Sequence, residues 1–175
     1  MKILAFAASN SKKSINKSLV QSALNQLNNS TATTIDINDF EMPIYGEDLE
    51  QAHGVPDAAK RFVEAIAEVD ALIISLAEHN GSYTVAFKNI LDWCSRLDRN
   101  IFQNKEILLL ATSPGPGGAS NVLKFAVNSM PFFGGEVIGE FSLPSFYDNF
   151  NAEKMTITDV ALDDKFKTAL SIIDR

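Results

Sequence analysis

Four segments of the chain are short, unbroken apolar runs: Ile3–Ala8, Ala71–Leu76, Ile107–Ala111 and, less cleanly, Val137–Phe141. Continuous rather than alternating hydrophobicity over strand length predicts strands buried on both faces, as in a parallel sheet. Thr33–Ile37 is half polar and β-branched, which suits a strand at the sheet edge. Between these runs the period becomes helical. Leu19, Val20, Ala23, Leu24 and Leu27 line one face, Ala59, Phe62, Val63 and Ile66 a second, and Phe87, Ile90, Leu91, Cys94 and Leu97 a third. Val122, Phe125, Ala126 and Met130 form a further stripe, and Phe166, Ala169, Leu170 and Ile173 form the last. Strands alternating with helices predict right-handed βαβ units with helices on both sheet faces, which is a doubly wound α/β fold.

Two segments escape both periods. Asn38–Pro56 carries Pro43 and Gly46, and Leu143–Asp159 carries Pro144 with Phe146, Tyr147 and Phe150. Connections of that length inside a compact domain are usually binding loops, lids or partner surfaces, and aromatics such as Tyr45, Phe146, Tyr147 and Phe150 outside the periodic elements suit a groove or a subunit contact.

Composition narrows the picture. At 175 residues, 46% hydrophobic and 21% charged, the chain has the balance of one globular domain, expected to span residues 1–175. A net charge of −7 argues against nucleic acid as a partner, so any phosphate must be held by local groups. Lys12, Lys13 and Lys17 crowd one loop and could supply them. No segment approaches the roughly 18 apolar residues of a membrane span, and the apolar stretch after Met1 and Lys2 is short for a signal peptide, so the expectation is a cytoplasmic protein without membrane contact. One cysteine and two histidines cannot build a four-ligand zinc site, and no metal is expected. Cys94, on an apolar stripe, reads as a buried, inert thiol.

In an open α/β sheet, ligands bind beyond the carboxyl ends of the strands, which directs attention to three loops. Ser9–Ser18 is a run of hydroxyls and amides leading into a helix, a setting that presents hydroxyl donors and free N–H groups to an anion, or simply caps the helix. Ala77–Tyr83 holds Asn80-Gly81, a tight-turn pair, and Ser82, a candidate cap. Thr112–Ala119 is dense in glycine, at Gly115, Gly117 and Gly118, either for close ligand approach or for relief of strain. Neither a Walker A loop nor a G-x-G-x-x-G fingerprint is present.

Taken together, these loops resemble the NAD(P)H-dependent FMN reductase family, the flavodoxin-like quinone, chromate and azo-dye reductases. Ala8-Ser9-Asn10-Ser11-Lys12-Lys13-Ser14-Ile15-Asn16 stands where the family has Gly-Ser-x-Arg-x-x-Ser-x-Asn, matching at Ser9, Ser14 and Asn16. Ala77-Glu78-His79-Asn80-Gly81-Ser82 with Lys88-Asn89 and Asp92-Trp93 meets the more specific Pro-x-Tyr-Asn-x-Ser signature and its Lys-Asn-x-x-Asp-Trp continuation. Met42-Pro43-Ile44-Tyr45 with Asp48-Leu49-Glu50 is similar to a third stretch.

The resemblance implies a five-stranded parallel sheet of order 2-1-3-4-5 and bound FMN. It implies a phosphate held by Ser9, Ser11, Ser14, Ile15 and Asn16, and a ring system between Glu78, His79, Asn80, Gly81 and Ser82 on one side and Ser113, Gly115, Gly117 and Gly118 on the other. It implies NAD(P)H as co-substrate, a quinone, free flavin or similar small electron acceptor, and a homodimer or homotetramer. The chemistry would rest on the flavin; His79 is the one side chain placed to give a proton to the reduced acceptor, with packing or capping as the plainer role. Three positions depart from the pattern: Ser11 replaces arginine, Ala77 replaces proline and His79 replaces tyrosine. They leave open two further readings, a flavodoxin-type one-electron carrier and a flavodoxin-like binding module without FMN.

Overall fold

The computed structural model describes all residues, Met1–Arg175. Five strands, β1 (Lys2–Ala8), β2 (Thr31–Thr34), β3 (Ala71–Leu76), β4 (Lys105–Thr112) and β5 (Gly135–Leu143), form one parallel sheet in the order β2-β1-β3-β4-β5. The flanking helices are α1 (Ile15–Leu24), α2 (Glu47–His53), α3 (Asp57–Ala67), α4 (Val85–Cys94), α5 (Ser120–Ser129), a single turn α6 (Phe146–Asn149) and α7 (Val160–Ile173). This is the doubly wound α/β, flavodoxin-like order expected from the sequence, and no helix is long and apolar enough to cross a membrane.

The unbroken apolar runs divide between two cores. Leu4, Phe6, Leu72, Ile74, Ile107 and Leu109 point into a core shared with Phe62 of α3, Phe87 and Trp93 of α4 and Val122 of α5. Their alternates Ile3, Ala5, Ile73, Leu108 and Leu110 point into a core shared with Leu19 of α1 and Phe166 of α7. Because side chains alternate along a strand and both faces are dry, the central positions are apolar, with Ser75 near the end of β3 the exception, hydrogen-bonded to Asn16. Polar residues reappear where the strands end, and that is where the candidate loops begin.

Several elements depart from the periodic reading. The edge strand lies at Thr31–Thr34, not Thr33–Ile37: it pairs only with Lys2–Ala5 of β1, all four residues are exposed, and Ile37 turns inward at the start of a 3-10 helix whose first turn is capped by Asp36. Leu27 and Leu97 fall beyond the ends of α1 and α4, and Phe125 stays 45% exposed despite its place on an apolar stripe. The segment from Leu143 to Asp159 is ordered: besides α6 it forms the antiparallel pair β6 (Phe150–Asn151) and β7 (Thr156–Ile157). Phe146 and Phe150 are therefore buried, stacked at 4.6 Å, while Tyr147 between them remains exposed.

The cap of α4 is not Ser82 but Thr84, whose hydroxyl accepts from Phe87 N–H at 3.2 Å and donates to the carbonyl of Ala8 at 3.0 Å. A single buried hydroxyl thereby fixes the start of α4 against the end of β1.

Candidate functional site

The loops after β1, β3 and β4 meet at the carboxyl edge of the sheet and enclose a cavity of about 240 Å³. Ser9, Ser11, Ser14, Ile15, Asn16, Glu78, His79 and Ser113 line it, joined by Lys13, Ala77, Thr112, Pro114 and Tyr147. Asn80, Gly81 and Ser82 lie outside this cavity, as do Gly115, Gly117 and Gly118. Gly117 faces a separate groove between β5 and α7.

The loop after β1 leaves the start of α1 open. Ser14 holds the N-cap position with extended backbone and makes no side-chain cap, and the N–H groups of Ile15 and Asn16 have no protein acceptor. Ser9 Oγ accepts from Ser11 N–H at 3.3 Å, which shapes the loop without blocking the helix end. A helix start with free N–H groups, hydroxyls beside it and Lys13 at the cavity wall is a donor set suited to a phosphate. Lys17 is not part of it, since its ammonium pairs with Asp36.

Asn16 is 2% exposed and its side chain faces the protein, not the cavity. Its carboxamide donates to the Thr112 carbonyl at 3.3 Å and accepts from Thr112 N–H at 3.2 Å and Ser75 Oγ at 2.8 Å. Only its backbone N–H is left for a ligand. The amide joins α1, β3 and β4, so the asparagine of the motif holds the loop ends in register.

The loop after β3 closes on itself. His79 and Ser82 exchange backbone hydrogen bonds at 3.0 and 3.1 Å, with Asn80 and Gly81 both at positive φ, the geometry of a type I′ turn. The backbone N–H groups of His79 and Ser82 are thus used internally, and those of Asn80 and Gly81 remain free at the tip. Glu78, immediately before the hairpin and on the cavity wall, engages its carboxylate with the start of α5, where it accepts from Asn121 and Val122 N–H at 3.1 and 3.0 Å.

The loop after β4 is braced from behind. Ser145 and Phe146 N–H donate to the carbonyls of Gly115 and Ser113, and Ser142 Oγ donates to that of Gly118. Gly118 has φ +58°, and a Cβ there would lie 2.3 Å from Ser142 Oγ and 3.0 Å from Pro144 N, so this glycine serves packing. Gly115 and Gly117 have open space around them.

The Lys88-Asn89 and Asp92-Trp93 pairs lie on α4 and serve the irregular segment beside it. Asn89 accepts from Tyr45 N–H and donates to the carbonyls of Met42 and Pro43, while Trp93 Nε1 donates to Pro43 at 2.7 Å. Tyr45 packs edge-on against Trp93 and donates its hydroxyl to Glu50, which Arg96 also holds. Lys88 and Asp92 pair on the surface.

The model of the NADPH-dependent FMN reductase family matches residues 1–148. The chain belongs to that family. Among its relatives, an uncharacterized protein of Mycoplasma pneumoniae is 31% identical over 164 residues, covering 91% of this chain and 96% of that one. A quinone reductase of Escherichia coli is 34% identical over 80 residues, which is 45% of this chain and 43% of the enzyme. In three dimensions the chain matches FerB, a flavoenzyme NAD(P)H:(acceptor) oxidoreductase from Paracoccus denitrificans, with a TM-score of 0.72 and 24% identity over 99% of this chain and 97% of that one.

Two ionisable side chains of this FMN reductase family member stand apart from the cavity. Burial pushes the Cys94 thiol up to about 12, and its only polar contact is the Ala59 carbonyl at 3.6 Å. Burial likewise pushes the Tyr83 phenol up to about 12, against a hydrogen bond with Ser129. Sequence reasoning passed over Thr84 and Thr112; a β-branched hydroxyl at the end of an apolar run was the available signal for Thr112.

Proposed function

We propose that this chain, one domain over residues 1–175, is an FMN-dependent oxidoreductase that uses NAD(P)H to reduce a quinone, free flavin or similar small acceptor. The observation that carries the reading is the open start of α1 at the cavity, where the N–H groups of Ile15 and Asn16 have no protein acceptor, Ser9, Ser11, Ser14 and Lys13 line the wall, and Glu78, the one acid among the lining residues, is engaged by α5. That set fits the terminal phosphate of FMN. Lysine in place of the family's arginine supplies charge without a bidentate fork, so more of the affinity falls to the backbone.

Bound FMN supplies the hydride chemistry. The chain's own residues would bind and orient it: the β1–α1 loop would hold the phosphate, the Asn80-Gly81 tip, whose N–H groups have no protein acceptor, would meet one side of the ring, and Ser113 and Gly115 the other. Tyr147, 72% exposed on a turn anchored by buried Phe146, adds an aromatic ring to the cavity lining. Ile44 and Val85, both strongly exposed, flank Asn10 around an apolar hollow of about 200 Å³, a face suited to the second copy of a homodimer.

The test is purification in the presence of FMN followed by initial-rate kinetics with NAD(P)H and a benzoquinone. Flavin absorbance that persists through gel filtration and ping-pong kinetics are expected. Retained flavin without NAD(P)H oxidation would refute the reductase reading, and absence of flavin uptake would refute the cofactor. Sedimentation of the Ile44→Glu variant as monomer, against dimer for the unsubstituted chain, checks the subunit face.

A further inference from the structure

Helix α5 begins without a cap of its own. Its N-cap residue, Ala119, lies in the left-handed region at φ 59° and has no side-chain acceptor. Ser120 and Leu123 N–H go to the carbonyls of Gly117 and Ala119 at 3.0 and 3.2 Å. Asn121 and Val122 N–H both go to Oε2 of Glu78, and Oε1 of the same carboxylate accepts from Asn121 Nδ2 at 3.2 Å. Glu78 therefore occupies the position that an anion would take on α5, where N–H···O⁻ bonds and the helix dipole both favour it.

Glu78 belongs to a different loop from the helix it closes, and this gives the contact a second consequence. The His79–Ser82 hairpin, joined by two hydrogen bonds of its own, follows directly on Glu78 and moves with it. The Ser113–Gly118 loop is held from behind by Ser142, Ser145 and Phe146. Every hydrogen bond between Ala77–Ser82 and Ser113–Val122 runs through the Glu78 carboxylate. Two self-contained loops thus face each other with one polar tie between them.

We infer that Glu78 is a positioning residue, whose carboxylate on α5 sets the width of the slot between the His79–Ser82 hairpin and the Ser113–Gly118 loop. The inference rests on the reading of that slot as the seat of a flavin ring, and it reverses the expected role of Glu78: the side chain holds the wall and does not touch the ligand.

Glu78→Ala and Glu78→Gln test it in the full chain, by amide hydrogen exchange on the flavin-free protein and by FMN titration. In Glu78→Ala, exchange is expected to quicken about tenfold or more at Asn121 and Val122 and also at His79 and Ser82, with far-UV circular dichroism unchanged. The Kd for FMN should rise about tenfold, and Glu78→Gln, which keeps an oxygen acceptor, should return it to within about threefold of the unsubstituted chain. Faster exchange confined to Asn121 and Val122, with the hairpin and Kd unmoved, would reduce Glu78 to a helix cap and overturn the inference. Equal loss of FMN in both variants would overturn it too, by showing that the charge itself contacts the ligand. Should Glu78→Ala fail to fold, Asn121→Ala, which removes one arm of the tie, takes its place with the same readouts at smaller amplitude. If the unsubstituted chain takes up no FMN, the functional reading fails separately, and hydrogen exchange alone decides whether Glu78 restrains the hairpin.

Discussion

Asn16 and Thr112 exchange two hydrogen bonds between the start of α1 and the carboxyl end of β4, one from the Asn16 amide to the Thr112 carbonyl and one from Thr112 N–H back to Asn16 Oδ1. With Ser75 as a third partner, the carboxamide is satisfied in a dry setting. Asn16→Ala strands a hydroxyl, an N–H and a carbonyl together, so unfolding free energy should fall by about 2–4 kcal/mol. Urea denaturation checks this, and FMN affinity should drop as the start of α1 loses its register.

Gly118 and Gly81 share positive φ but differ in surroundings. Gly81→Ala meets open space and should cost only the left-handed backbone, about 1 kcal/mol. Gly118→Ala also drives a methyl into Ser142 and the Pro144 backbone, and should cost about 2–3 kcal/mol. Chemical denaturation of the two variants side by side gives the comparison.

Lys13, in the loop before the N-cap of α1, and Lys17, in the first turn of that helix, have different tasks. Lys13→Ala should weaken FMN binding several-fold and flatten its dependence on salt, because a charge at the cavity wall is removed. Lys17→Ala should leave FMN binding within about twofold and cost under about 1 kcal/mol of stability, since it breaks only a partly exposed pair with Asp36. Fluorescence titration at two ionic strengths separates them.

Asn89 supplies three hydrogen bonds to Met42–Tyr45, and this segment has few other anchors. In Asn89→Ala the Trp93–Pro43 contact remains but the segment loosens, so limited proteolysis should cut between residues 41 and 54 at least several times faster, with stability lower by about 1–2 kcal/mol.

The buried thiol of Cys94 gives a pH signature. Its folded value, about 12, lies above the ordinary 9.0, so the folded state keeps a proton that the unfolded state releases. Stability from this group is complete below 9.0 and is lost progressively as pH rises from 9.0 towards 12. Thermal unfolding of Cys94→Ala should be less sensitive to pH over that window than that of the unsubstituted chain. At pH 8 the native thiol should resist a thiol reagent that reacts promptly after denaturation.

Much of the candidate site was legible in the sequence because its parts are local. The serine-rich entry to α1, the Asn80-Gly81 turn and the glycine-rich loop each announce themselves within a few residues, and the structure gathers eight of the fourteen residues expected to hold FMN around one cavity. Position alone did not reveal direction. Asn16 and Glu78 both occur in the expected loops, yet both turn their side chains into the protein, Asn16 to Thr112 and Glu78 to α5. Tyr147 could not be told from Phe146 and Phe150 as one aromatic among several; only the packing of its two neighbours leaves it in the cavity lining.

By itself the sequence determined the alternation of strand and helix, the two-sided burial of β1, β3 and β4 and where the loops at the carboxyl ends of those strands fall, because apolar periodicity acts over a few residues and is written directly in the order of side chains. The tertiary structure decided which helix start stays open to a ligand. The α1 and α5 helices both begin at the same sheet edge, and neither carries a capping side chain of its own. Glu78 closes α5 from 43 residues away, while no side chain accepts from the first N–H groups of α1. That choice depends on which long-range groups remain unpaired once the cores have packed, and a free N–H is defined only when every other partner has been assigned.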